Sequence, residues 1–89
     1  MANDQTAARR ELERTWATKL TEARVRYHHA AASYHMLSEE YHQSLISGPD
    51  GTEAIRKAHR EEAAALREYT RVVRIFTDVV RKGRTPAEE

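Results

Sequence analysis

Five histidines and fourteen acidic side chains are the groups through which this 89-residue chain could bind a metal or move a proton. His28, His35 and His42 each follow a tyrosine, so that a Tyr-His pair recurs every seven residues at Tyr27, Tyr34 and Tyr41. Seven residues of α-helix rise about 10 Å, and three rings so spaced cannot share one ion whose ligands stand at ~2 Å. What remains on that helix is the stripe His35, Glu39 and His42, from which two neighbouring groups can grip a divalent metal. The second candidate joins two helices: Glu39 and His42 on the first, His59 and Glu62 on the second. His59 and Glu62 fall where the spacing calls for apolar side chains, and buried groups of that kind need partners.

Glu39-Glu40-Tyr41-His42 contains the Glu-x-x-His spacing with which four-helix carboxylate proteins hold two irons, and with His59 and Glu62 it resembles the ligand set of the ferritin-like family. That resemblance covers these few residues and implies a metal-binding four-helix bundle, which is the alternative reading. The chain departs from the pattern because a second Glu-x-x-His is missing, Tyr41 takes the inward seam and Glu39 points outward. The primary expectation is a hydrogen-bond network of Tyr41, His59 and Glu62 near the turn, with no cofactor.

Other chemistries find less support. Tyr27, Tyr34 and Tyr41 opposite small residues suit close helix packing, with large and small side chains alternating. Arg60, Arg67, Arg74 and Arg81 form a heptad row that could lie along phosphates. Glu61, Glu62, Glu68 and Asp78 interrupt it, and a net charge of +1 offers no bulk attraction for nucleic acid. Nucleic acid is therefore not the expected partner. No Gly-rich phosphate loop occurs, and no nucleophile stands beside a base. The chain has no cysteine, which removes disulfides, thiolate metal sites and cysteine nucleophiles. It reads as a non-enzyme.

The elements that carry these residues are helical. Only 3 Gly and 2 Pro interrupt a composition that is 33% charged, and no segment alternates like a strand. Leu12, Trp16, Leu20, Ala23, Tyr27, Ala30, Tyr34, Leu37 and Tyr41 recur at three and four, predicting one helix over about residues 4–46. Gly48-Pro49-Asp50-Gly51 predicts a turn over 47–52, with Asp50 or Thr52 capping the next helix. That second helix, over about 53–82, presents Ile55, His59, Glu62, Leu66, Tyr69, Val73, Phe76 and Val80 at the same spacing, and 83–89 reads as a tail. So short a connection makes the two antiparallel neighbours in one all-α hairpin domain. The length and shape are similar to those of the secreted two-helix proteins of type VII systems, which carry Trp-x-Gly in the loop. Ser47 to Thr52 holds no Trp, and no family is assigned.

Counting from that turn pairs residues whose numbers sum to about 100, placing His42 near Ala58 and Phe76 near Arg24. Leu12 and Trp16 then overhang the end of the second helix, while Ile75 and Val79 face away from the intrachain seam. Leu12, Trp16, Leu20, Val72, Ile75, Phe76 and Val79 are thus expected to form an interface with a second copy. The result is a homodimeric four-helix bundle, with a different protein as the other possible partner. No apolar run approaches the ~18 residues of a membrane span, and the first residues lack a signal-peptide core, so the expected location is cytoplasmic.

Overall fold

Long runs of Ala, Glu, Arg and Leu uninterrupted by Gly or Pro dictate helix, and the described residues form two helices. The computed structural model describes residues 2–43 and 48–86, with α1 over Ala2–His42 and α2 over Gly48–Lys82. They pack antiparallel along their length as a hairpin measuring 65 × 21 × 15 Å between its extreme Cα positions. No described helix is long and apolar enough to cross a membrane.

The reversal comes earlier than the spacing predicts. Gly48, Pro49, Asp50 and Gly51 are helical rather than a turn, because a helix leaves its first N–H groups without intrahelical acceptors and a proline there forfeits no hydrogen bond. Asp50 and Thr52 consequently lie inside α2 rather than ahead of its first turn. α1 ends at His42, followed by a Gln43 N–H that still donates to the Glu39 carbonyl at 2.9 Å. Residues 44–47, the end of the expected first helix and the start of the expected turn, lie outside the described residues, as do 87–89 of the expected tail.

An earlier reversal shifts the pairing of the helices. Tyr27 stacks on Tyr69 with ring centroids 6.0 Å apart, and Tyr34 meets His59 at 5.2 Å. Facing numbers therefore sum to about 95, and α2 reaches further along α1 than expected. Gln5, Ala8, Arg9 and Leu12 line one groove with Lys82 and Gly83, so Leu12 and Trp16 do not overhang the second helix. Arg9 closes this end of the hairpin, its Nη2 donating to the Val80 carbonyl at 2.5 Å.

The first helix uses the predicted seam as far as Leu37, while Tyr41, expected to face inward, is exposed. Ala23 is buried, and Leu12, Trp16, Leu20, Tyr27, Ala30, Tyr34 and Leu37 are half-buried. The second helix does not. Its inward line is Gly51, Ala58, Ala65, Val72 and Val79, all buried at intervals of seven, with Ile75 beside them. Leu66, Val73 and Val80, expected in the seam, are exposed, and so is His59. Small residues face α1 because its tyrosines need the space, and a line of alanines lets the two backbones approach.

Ile75 and Val79 are fully covered by their own chain and Val72 nearly so, which corrects their assignment to an outward surface. Each such side chain is worth about 1.5–3 kcal/mol on burial, whereas the alanines at 58 and 65 contribute much less. The hairpin is thus anchored in its terminal half. Nearer the turn it is held by alanines and aromatic rings.

Gly83 ends α2 in the left-handed conformation, φ +75°, with its N–H donating to the Val79 carbonyl at 2.8 Å. This is the single-bond glycine cap of a helix C-terminus. A Cβ at this position would meet the Arg9 side chain at 3.4 Å, an ordinary contact, so the cost of Gly83→Ala is conformational. Urea unfolding should show a loss of about 1 kcal/mol.

Candidate functional site

The four residues of the metal reading are not brought together. His35 Nε2 lies 3.2 Å from Glu39 Oε1 on an exposed stretch of α1. The His42 ring is turned to Tyr41 at 6.4 Å, while His59 lies against Tyr34 across the hairpin. Among the described residues no three His, Cys, Asp or Glu side chains form a group that could hold a metal ion. The expected network of Tyr41, His59 and Glu62 is replaced by the Tyr34–His59 contact, because the shift in pairing moves His59 away from Tyr41 along α1. Glu62 is half-buried on α2 and Tyr41 is exposed.

The space between the helices consists of open grooves. One near the turn is lined by Tyr34, Ser38, Tyr41 and His42 of α1 with Thr52, Ile55 and Arg56 of α2. No described side chain is both polar and buried. Burial is what perturbs an acid, base or nucleophile, and none of the described side chains lining these grooves is both polar and buried.

Two faces of the hairpin differ sharply in chemistry. On one, Lys19, Glu22 and Arg26 of α1 meet Glu68 and Arg71 of α2 over the buried Ala23 and Val72. Arg71 holds Glu68 through two hydrogen bonds, Nη2 to Oε1 at 2.7 Å and Nε to Oε2 at 3.1 Å. That hydrogen bonding keeps the Glu68 carboxyl below its ordinary value of 4.5. A lowered carboxylate stabilises the fold above its ordinary pKa and loses that contribution as pH falls through the lowered one. Both side chains are more than a third exposed, so solvent screening makes the contribution small.

Across the buried line of Ala65 and Val72, the other face carries Leu66, Tyr69, Val73, Phe76 and Val80. Their spacing of three and four confines them to roughly 80° of helix arc. Leu66 is 45% exposed, Val73 40% and Val80 43%; Tyr69 and Phe76 are half-buried. Tyr27 joins them from α1 through its stack on Tyr69. Of the seven residues expected at an interface, Leu12, Trp16, Leu20 and Phe76 are half-buried and Val72, Ile75 and Val79 are buried.

The arginine row lies away from both apolar lines. Arg60, Arg67, Arg74 and Arg81 are all exposed. Arg60 and Arg56 stand 3.6 and 3.9 Å from the Glu53 carboxylate, pairing that solvated helix faces commonly show.

The spacing of large apolar residues does not reveal the small-residue line of α2, although the sequence carries a signal for it. Gly51, Ala58, Ala65, Val72 and Val79 repeat every seven residues, as do Tyr27, Tyr34 and Tyr41 on α1. The class that these observations define is an all-α antiparallel helical hairpin with one charged and one apolar face. No protein-family model, curated protein or solved structure matches the chain.

Proposed function

We propose that this chain is a non-enzymatic structural or protein-binding module that self-associates through its helices, two hairpins pairing into a four-helix bundle. The observation that carries the reading is the exposed apolar line of α2, where Leu66, Val73 and Val80 recur every seven residues on a hairpin too thin to cover them. A heptad line of branched aliphatic side chains is the pattern that packs against another helix. An antiparallel bundle of four helices covers two such faces at once. The metal and nucleic-acid readings have no comparable support, since the candidate ligands are dispersed and the arginine row is interleaved with carboxylates.

Mass action supplies the test. If folding is coupled to association, each tenfold rise in protein concentration stabilises the dimer by about 1.4 kcal/mol. For a complex of two such chains this shifts the melting temperature by roughly 4 °C. Circular dichroism melts over two decades of concentration, with sedimentation equilibrium on the same samples, should show the shift and a mass near twice 10.3 kDa. A concentration-independent melt of a 10.3 kDa species refutes the proposal.

A further inference from the structure

Resting on that reading, we infer that the second copy docks on the apolar face of α2 in an antiparallel, two-fold arrangement whose axis passes beside Val73. The choice of face follows from the contrast between the two. The charged face presents Lys19, Glu22, Arg26, Glu68 and Arg71, charges that a helical partner would have to desolvate. The face bearing Leu66, Tyr69, Val73, Phe76 and Val80 carries none in that line.

The axis follows from symmetry. A two-fold interface is self-complementary, so if one residue meets another, the second also meets the first. Leu66, Val73 and Val80 are evenly spaced, and an antiparallel pair centred on Val73 sets Leu66 of each copy against Val80 of the other. All three exposed side chains of both copies are then covered. The same register aligns Glu62 of one copy with Arg84 of the other, since both lie eleven residues from Val73 in opposite directions. A parallel pair would instead set Glu62 against Glu62. Like charges at such positions oppose association, and opposite ones favour it.

The area suits a weak pair. Centred on Val73, the overlap runs to the C-terminal ends of the two α2 helices, about twenty residues or ~30 Å. Across a strip about 10 Å wide, the diameter of one helix with its side chains, this gives on the order of 300 Å² per copy before side-chain relief is counted, the size of a transient contact. The turn-proximal halves, with His59, Tyr34 and Tyr41, project outward on opposite sides. They remain available to solvent or to further partners.

Because the chain lacks cysteine, single thiols report the geometry directly. A cysteine on the axis lies beside its own symmetry copy, within the Cβ separation of ~4 Å that a disulfide needs. Val73→Cys should therefore form a cross-linked dimer quantitatively under mild oxidation. Leu66→Cys and Val80→Cys should each stay largely uncross-linked alone and form the mixed disulfide when combined. Self-cross-linking of both Leu66→Cys and Val80→Cys would mean a parallel pair and overturn the arrangement. Val73→Asp, at a site the lone hairpin leaves exposed, should keep its helical circular dichroism and weaken the dimer more than tenfold by sedimentation. A dimer of the parent chain in which Val73→Cys fails to cross-link would overturn the docking face while leaving self-association intact. A monomeric parent chain overturns both.

Discussion

Val79→Asp should abolish the folded hairpin at 25 °C. Val79 is fully buried between the helices, and no described polar side chain is buried with it. A carboxylate placed there either stays charged without a partner or takes up a proton at a large cost, and a buried unpaired charge typically costs several kcal/mol. A domain of this size has only about 5–13 kcal/mol in total. Far-UV circular dichroism should lose most of its helical signal, with no cooperative melt. The adjacent Val80→Asp is the control, because Val80 is 43% exposed; helix content should survive that change. Retention of a cooperative transition within ~1 kcal/mol of the parent by Val79→Asp would place the seam elsewhere on α2. Since Val79 acts within its own chain, this substitution reports on folding before it reports on any association.

Ala65→Phe should be nearly as damaging by the opposite route. Ala65 is 2% exposed and lies where α2 meets the groove lined by Ala30 and Ser33 of α1. A phenyl ring there must displace the neighbouring helix or adopt a strained rotamer, and overpacking of this kind costs about 3 kcal/mol. Urea unfolding of Ala65→Phe and of the neighbouring Leu66→Phe makes the comparison. Leu66 faces outward, so at concentrations that keep the chains monomeric its replacement should change hairpin stability by less than ~0.5 kcal/mol. Equal effects at the two positions would contradict the small-residue seam.

These two substitutions also show where the sequence sufficed and where it did not. α1 carries one apolar line, and its inward residues from Leu12 to Leu37 were legible because no second line competes with it. α2 carries two, Gly51-Ala58-Ala65-Val72-Val79 and Leu66-Val73-Val80, adjacent around the helix. Periodicity weights a residue by hydrophobicity, so it favours Leu66 over Ala65. Packing weighs volume as well, and opposite a row of tyrosines the smaller line fits. The candidate metal residues failed for a related reason. Glu39, His42, His59 and Glu62 have suitable chemistry, but ligands must also converge, and convergence depends on the pairing of the helices.

The sequence by itself determined an all-α hairpin, the inward line of α1 from Leu12 to Leu37, the end of the second helix near residue 82 and the absence of any thiol chemistry. All of these depend on local propensity, on a single unambiguous period or on composition, which require no knowledge of the partner surface. Only the tertiary structure decided that α2 begins at Gly48, that Tyr27 faces Tyr69 and Tyr34 faces His59, and that Ile75 and Val79 are buried within the chain. A proline in a first helical turn and a proline in a loop are locally equivalent, since neither gives up a hydrogen bond. What separates them is the total contact made along both helices once they pair, and starting α2 at Gly48 brings Lys82 and Gly83 to the level of Arg9 and Leu12.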